Sequence, residues 1–236
     1  MTKVLAKITA AAALAAALCL AGVAPAAKAA AAAQMMAPVL AKMEQAGRQL
    51  KTLQAGIAQK KVDRTLGVTE NSAGTLLYKA APEGSERVLL QYTEPFPETV
   101  SVIGDKVSIY QPKLNQVFVT SRKAGANKNR EIGFLGLSYG DAAQQLRDRY
   151  DVTVLGEDLV NGKPATQIAL KPKNPNDSIE GLQLWIDQST WLPVKYFIQE
   201  KGAKTTITLS SVKKDVDLPD KRFEIVVPAG AQVIKG

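Results

Sequence analysis

Histidine is absent from the sequence, and cysteine occurs once, at Cys19. Serine–histidine and cysteine–histidine catalysis need an imidazole or a thiol whose pKa lies near the working pH, and structural zinc sites use the same ligands. We expect Cys19 to be removed with the N-terminal segment, so these enzyme classes and structural zinc are excluded. Without disulfides the fold must be stabilised by burial alone, which a single domain of about 200 residues can achieve.

Acidic residues are absent from residues 4–33, which are largely alanine. A basic start, an apolar run over residues 8–20 and small residues at Ala27 and Ala29 predict a secretory signal peptide that is cleaved after Ala29. A membrane anchor is the alternative, but the longest apolar stretch, Ile8–Val23, has about 16 residues where a spanning helix needs about 20. A leucine precedes Cys19, whereas a lipoprotein signal has a small residue at that position, so we do not expect Cys19 to be lipidated. Cleavage would remove three basic residues and lower the formal net charge from +8 to +5.

The first segment after this leader has the periodicity of a helix. Pro38 suits a first helical turn, and the pattern predicts a helix from Pro38 to Gln59. Its apolar residues recur at intervals of one, three, four and seven, at Val39, Leu40, Met43, Leu50, Leu53 and Ile57. We expect this stripe to pack on the rest of the domain, so Leu40→Asp or Leu50→Asp would destabilise the fold.

From about Gly74 the period of the apolar residues changes to two, which is typical of strands. Turn signals at Gly104–Asp105 and Asn161–Gly162 separate successive strands, and the second pair is a strong two-residue hairpin signal. Because the connections are too short for crossover helices, neighbouring strands should be antiparallel. The pattern predicts about ten short strands.

Residues 122–150 interrupt this pattern. Basic residues of the range Arg122–Arg130 lie among glycine and asparagine, and the apolar Phe134–Leu137 follows. The composition predicts a mobile basic loop, and Asp141–Tyr150 then has the spacing of a short helix.

Together these patterns predict a mainly β (α+β) fold with one apolar and one solvated sheet face. Two helices are few for so broad a sheet. We therefore expect one domain over residues 30–236, an open and strongly curved antiparallel half-barrel with an N-terminal helix and a helical lid over an apolar cleft. A well-packed barrel without a cavity would show the same alternation.

The order of several segments resembles one known family. These segments are Gly74–Lys79, Val88–Pro95, Gly104–Pro112, Leu170–Lys173, Leu182–Asp187 and Phe223–Gly230. Over roughly residues 38–235 their order is similar to that of LolA-type periplasmic carriers of outer-membrane lipoproteins. The resemblance implies a periplasmic, monomeric, non-enzymatic carrier without cofactor, metal or nucleic acid. Its cargo would be the acyl chains of lipoproteins or another lipid, handed over by an inner-membrane Lol-type ABC transporter, and its outer-membrane acceptor is unknown.

The resemblance also implies which residues line the cleft. Three positions match the family's cleft residues, namely Val88, Leu90 and Tyr92, and the next two strands are expected to add Val100, Val102, Val107 and Ile109. Alternation alone adds Leu184, Ile186, Tyr196, Ile198, Ile207 and Leu209. The lid would contribute Phe134, Leu135, Leu137, Leu146 and Tyr150. Any of these residues could instead fill a solid core. One departure concerns an arginine that tunes lid closure in the family, since Lys79 stands in the corresponding stretch and lacks arginine's planar fork.

Several other functions are alternatives to a carrier. An envelope sensor or structural module, or a small-lipid shuttle, could use the same scaffold; a sensor would typically have a second domain, whereas this sequence stops at Gly236. The basic loop contains no aromatic residue to stack on bases, and export argues against nucleic acid; anionic lipid headgroups or an acidic partner would suit it better. The acidic residues Asp215, Asp217 and Asp220 follow no calcium-loop spacing, and no carboxylate pair has the context of a glycosidase.

Overall fold

The computed structural model describes residues 24–82, 85–121, 142–174 and 179–236. Within these ranges the chain forms two α-helices, α1 (Ala24–Gln49) and α2 (Ala142–Arg149), and two short 3-10 helices, Pro112–Leu114 and Asp220–Phe223. The same ranges contain twelve strands: β1 Thr52–Asp63, β2 Val68–Lys79, β3 Arg87–Glu94, β4 Glu98–Ile103, β5 Lys106–Gln111, β6 Gln116–Ser121, β7 Tyr150–Val160, β8 Lys163–Pro172, β9 Ile179–Asp187, β10 Pro193–Glu200, β11 Ala203–Lys214 and β12 Gln232–Lys235.

The twelve described strands form one open, curved sheet in the order β12-β6-β5-β4-β3-β2-β1-β11-β10-β9-β8-β7. Neighbouring strands are antiparallel except β12, which pairs with β6 in parallel. Asn161 and Gly162 form the β7–β8 turn with φ angles of 51° and 76°, as the two-residue hairpin signal predicts. The predicted mainly β half-barrel with an N-terminal helix is confirmed.

The predicted helix from Pro38 to Gln59 is wrong in its extent. Helix α1 ends at Gln49, and Pro38 lies inside it and not in its first turn. Leu53 and Ile57 lie on β1, between β2 and β11. The interval of four between these two residues fits a helix, but four is also a multiple of two, so a strand places both on one face as well. The missed strands β1 and β12 account for the difference between the twelve described strands and the ten or so predicted.

The two faces of the sheet carry different layers. We call the face against which α1 and α2 pack the inner face; the main hydrophobic cluster lies there and includes residues of both helices. On the opposite, outer face, Leu77 and Leu89 contact Leu218 and Phe223 of the C-terminal segment. Ser101 of β4 donates a hydrogen bond to the Phe223 carbonyl oxygen at 2.5 Å, which fixes this segment on the outer face.

The two helices also contact one another. Glu44 of α1 accepts from Arg48 of its own helix at 2.6 Å and lies 3.6 Å from Arg147 of α2. At the end of α2, Lys173 donates to the carbonyl oxygens of Arg147 and Arg149 at 2.6 and 3.0 Å, which satisfies carbonyl groups that a helix end leaves open. Among the described residues, no helix combines the length and apolar character needed to span a membrane.

Candidate functional site

The thirteen residues predicted to line a cleft all lie on the inner face. Eleven of them are buried members of the main cluster, and Tyr92 and Ile109 are half-buried and pack against it. The strand pairing explains this, because Leu90 lies opposite Val100, and Val100 lies opposite Ile109. Each row of directly opposed residues places its apolar side chains on one face.

Strands on the other side of β1 extend the same surface. Tyr196 of β10 lies opposite Leu184 of β9 and Ile207 of β11, so the three side chains share the inner face. Tyr196 and Ile207 are fully buried. The structure therefore joins two stretches of sheet, which the sequence pattern identified separately, into one apolar surface.

Several inner-face residues were not among the predicted ones. They are Leu53, Ala55 and Ile57 of β1, Leu76 and Tyr78 of β2, Ile168 and Leu170 of β8, and Leu182 of β9. The alternation of Leu76 and Tyr78 within the Gly74–Lys79 segment could have identified both as inner-face residues. The β1 residues were predicted to lie on a helix, although Leu53, Ala55 and Ile57 also recur at the interval of two that is typical of a strand.

Burial raises the pKa of a phenol on this surface, that of Tyr78. Desolvation, together with the nearby carboxylate of Glu86, raises the pKa of Tyr78 to about 12. Tyr78 therefore remains protonated at neutral pH, and the inner face keeps its apolar character there.

The inner face is covered by helix side chains. Val39, Leu40 and Met43 of α1 are buried in the main cluster. Of the predicted lid residues, Leu146 and Tyr150 also belong to this cluster, although Tyr150 is the first residue of β7 and not the end of the helix. The predicted lid residues Phe134, Leu135 and Leu137 and the basic range 122–130 lie outside the described residues.

Two of the predicted cleft residues, at one end of the sheet, are less completely covered than the others. Tyr92 and Ile109 are the two predicted cleft residues that are not fully buried. Each lies two residues before the end of its strand, and antiparallel pairing places the ends of β3 and β5 at the same end of the sheet. The Tyr92 hydroxyl donates to Gln59 Oε1 at 2.7 Å, so its polar tip is satisfied while its ring borders the apolar surface.

Lys79, in the stretch that corresponds to the family's lid-tuning arginine, contacts the C-terminal segment. Its ammonium group donates to the Leu218 carbonyl oxygen at 2.9 Å and to Asp220 Oδ1 at 2.8 Å, in the segment that crosses the outer face. The hydrogen bond from Lys79, with the nearby charge of Arg87, lowers the pKa of Asp220. Lys79 therefore anchors the C-terminal segment on the face opposite α1 and α2.

The acidic residues near the C-terminus serve structural contacts. Asp215 Oδ1 accepts from the Lys51 backbone N–H at 3.0 Å, and Asp220 pairs with Lys79 and with Arg87 at 3.2 Å. In the part of the chain that the structure describes, no group of three or more histidine, cysteine or acidic residues could hold a metal ion.

An open half-barrel with an apolar inner face under two helices is the architecture of a LolA-like binding protein. The family model described as outer membrane lipoprotein carrier protein LolA matches residues 48–226, and the chain belongs to that family. The resemblance found in the sequence is thus confirmed.

Individual relatives agree with this assignment. The chain is 26% identical to the outer-membrane lipoprotein carrier protein of Alkalilimnicola ehrlichii over 78% of each chain, and 26% identical to that of Dechloromonas aromatica over 78% of this chain and 81% of the relative. An uncharacterised protein of Methanocaldococcus jannaschii is 28% identical over 75% of this chain, which spans half the length of that relative.

Solved structures share the fold. A crystal structure of MucB has a TM-score of 0.55 at 19% identity, covering 85% of this chain and 66% of MucB. An uncharacterised conserved protein from Thermus thermophilus has a TM-score of 0.54 at 13% identity, covering 86% of this chain and all of that one. At these identities the likeness concerns the fold alone.

Proposed function

We propose that this protein is a periplasmic carrier that binds the acyl chains of lipoproteins on its inner face and carries them from the inner toward the outer membrane. The observation that supports this most directly is the single apolar surface formed by the thirteen inner-face residues in a chain of the LolA family. In this proposal residues 1–29 are a cleaved signal peptide, residues 30–236 form one domain, and Phe134, Leu135, Leu137, Leu146 and Tyr150 belong to the lid.

The energetics of an acyl chain favour such a carrier. Each methylene moved from water into an apolar environment contributes about 0.8 kcal/mol, so an acyl chain does not cross an aqueous compartment unshielded. Side chains of α1 cover the inner face in this structure. Cargo would therefore replace contacts with α1. The net free energy of loading would then be the small difference between the free energy of the cargo's contacts with the inner face and that of α1's contacts with it. That difference is what reversible loading and release require.

The polar contacts that hold the helices are compatible with displacement. Arg147 of α2 is joined to Glu44 of α1 at 3.6 Å, and both side chains are partly exposed. The Lys42 ammonium lies 4.1 Å from the Trp191 ring centroid, joining α1 to the β9–β10 turn. Exposed ion pairs contribute at most about 1 kcal/mol and cation–π contacts at exposed sites are of similar size, so neither contact locks the helices in place.

The proposal extends to partners. Cargo would be received from an inner-membrane ABC transporter, the carrier would act as a monomer, and it would need no cofactor or metal.

The first test is the identity of any bound lipid. The protein is purified without detergent, extracted with organic solvent and analysed by mass spectrometry. Stoichiometric lipoprotein or its acyl anchor supports the carrier, and a different lipid makes the protein a small-lipid shuttle. An empty protein that also fails to take up a fluorescent fatty acid contradicts an acyl-binding cleft and favours the sensor or structural module.

A pair of matched variants tests the inner face itself. Ile109 and Val119 are both half-buried on neighbouring strands, but the register places Ile109 opposite Phe118 and Val119 opposite Ser108, so the two face opposite sides of the sheet. Ile109→Gln should weaken uptake of the fluorescent fatty acid, whereas Val119→Gln should leave it unchanged. Equal uptake by both variants, with both folded by circular dichroism, would place the binding surface elsewhere.

A further inference from the structure

Three neighbouring turns at one end of the sheet expose large apolar side chains. Leu66 in the β1–β2 turn is 74% exposed, Phe96 in the β3–β4 turn 58%, and Leu114 in the β5–β6 turn 61%. Strands β1 to β6 are successive neighbours in an antiparallel sheet, so these turns lie side by side at the same end. We call the turns 64–67, 95–97 and 112–115 the turn rim. Adjacent hairpin tips are about 10 Å apart, since neighbouring strands are separated by about 4.8 Å.

Two turns at the opposite end of the sheet have a different composition. The β4–β5 turn is Gly104–Asp105 and the β7–β8 turn is Asn161–Gly162, which are residue types that turns ordinarily use. Leu159, which is also exposed at that end, lies on strand β7 and not on a turn. Leucine and phenylalanine side chains on a solvent-exposed turn bury no apolar surface and so contribute little to the stability of the fold. Large apolar side chains on three adjacent tips therefore indicate a surface that is covered when the protein acts.

Cations accompany the apolar side chains of the turn rim. Lys113 lies beside Leu114, and its ammonium is 3.9 Å from the centroid of the Phe96 ring. Arg64 precedes Leu66, and Lys201 lies in the β10–β11 turn next to the end of β1. All three cations are exposed. None of these turns contains an acidic residue.

Carboxylates lie just inside the rim, on the strand ends. Asp63 accepts from the backbone N–H groups of Thr65 and Leu66 at 2.8 and 2.9 Å, and Glu98 accepts from Gln111 at 2.8 Å. Glu94 and Glu200 end β3 and β10. The positive charge is therefore concentrated at the tips, where it would meet an approaching surface first.

We propose that the turn rim docks reversibly on a bilayer surface that contains anionic lipid. The apolar side chains stand on separate turns, so they form no continuous face of the kind that a protein partner needs. A bilayer needs no shape complementarity: apolar tips enter the acyl boundary while lysine and arginine stay among the headgroups. Insertion of three side chains gives weak binding, so the protein can leave the membrane again.

The position of the rim relative to the inner face supports this assignment. Tyr92 and Ile109, two half-buried members of the apolar surface, lie at the end of the sheet that carries the rim. A protein docked by its rim would bring these two residues close to lipid. The inference goes beyond the proposed function, since the rim could bind a bilayer whatever the inner face binds.

Vesicle flotation tests the proposal. The processed protein is mixed with vesicles of equal parts phosphatidylglycerol and phosphatidylcholine, and with vesicles of phosphatidylcholine alone. We expect binding to the anionic vesicles, reduced about tenfold or more in the triple variant Leu66→Ser, Phe96→Ser and Leu114→Ser. Leu159→Ser is the matched control, because Leu159 is also an exposed leucine (64%) but lies at the opposite end. A parent protein that does not float, or a triple variant that floats like the parent, overturns the proposal and leaves a protein partner as the occupant of the rim.

Insertion is measured separately by fluorescence. In the processed protein, from which Cys19 is expected to be removed, Leu114→Cys and Leu159→Cys are each labelled with a dye that brightens in apolar surroundings. Anionic vesicles should brighten and blue-shift the dye at position 114 and leave the dye at position 159 unchanged. Equal responses at both positions would contradict docking by the rim. Fatty-acid uptake by the triple variant is measured in parallel, so a failure of the rim is distinguished from a failure of the inner face.

Discussion

Lys79 Nζ of β2 lies 2.8 Å from Asp220 Oδ1 in the second 3-10 helix, an ion pair on the outer face of the sheet. Arg87, at the start of β3, reaches the other carboxylate oxygen of Asp220 at 3.2 Å. Two neighbouring strands are thus tied to the segment that carries Leu218 and Phe223 across the outer face. The ion pair between Lys79 and Asp220 lies beside the apolar contact that Leu218 and Phe223 make with the sheet, so both contacts hold the same segment.

Lys79→Met should loosen the C-terminal segment without changing the inner face. The substitution removes both hydrogen bonds of the ammonium group, to Leu218 and Asp220. We expect faster amide hydrogen exchange around Leu218–Phe223 and unchanged uptake of a fluorescent fatty acid. Lys79→Arg keeps a cation and should restore much of the protection. Altered uptake with unchanged exchange would instead connect Lys79 to the lid, against the observed geometry.

Much of the inner face could be predicted from sequence because it depends on local alternation. Val88, Leu90 and Tyr92 alternate on one strand. Short turns such as Gly104–Asp105 can join neighbouring strands only when these are antiparallel. Once pairing is antiparallel and in register, the apolar sides of neighbouring strands meet on one face. The predicted cleft residues therefore lie together, although their strands were assigned one at a time.

The elements that were missed depend on contacts between distant residues. Leu53 and Ile57 are spaced for a helix or a strand, and it is pairing with β11, about 150 residues away, that places them in the sheet. The contact between Lys79 and the C-terminal segment likewise joins distant residues, because Leu218 lies 139 residues further along the chain. No local pattern carries such information.

Leu40→Ala should destabilise the protein strongly. Leu40 of α1 is 1% exposed within the main cluster, so truncation leaves a cavity between the helix and the inner face. A loss of about 2–5 kcal/mol in the free energy of unfolding is expected from comparable leucine truncations. Urea denaturation measures it, with Leu159→Ala as an exposed control that should change stability by less than about 0.5 kcal/mol. A small effect at Leu40 would mean that α1 lies loosely on the sheet.

Gly74→Ala should disrupt the pairing of β2 with β3. A Cβ atom at position 74 would lie 1.9 Å from the Gln91 carbonyl oxygen, and backbone atoms cannot move aside as a flexible side chain can. Overpacking of this kind costs about 1–3 kcal/mol or more, to be measured by chemical denaturation. Gly181→Ala is the matched control on β9, where an added Cβ meets no atom within 4 Å. Equal stability of the two variants would contradict the close approach of β2 to β3.

Asp187→Asn should destabilise the β9–β10 turn in a pH-dependent manner. Asp187 Oδ1 accepts from the backbone N–H and hydroxyl groups of both Ser189 and Thr190, at 2.5–3.0 Å. The turn leads to Trp191, whose φ of 57° and contact with Lys42 join it to α1. Burial acts to raise the pKa of Asp187, but these hydrogen bonds outweigh it, and the pKa is lowered.

The sign of the pH dependence follows from that lowered pKa. The stabilising effect of the carboxylate is complete above the unfolded pKa of about 3.9 and is lost as the pH falls through the lower folded value. At pH 7 the asparagine variant should unfold about 1–3 kcal/mol more easily than the parent, and this gap should shrink in acid. Urea titrations of both proteins from pH 7 to pH 3 measure the gap, with Asp105→Asn in an exposed turn as the control. A gap that stays constant with pH would show that the side-chain amide disturbs the turn by its shape and not by its missing charge.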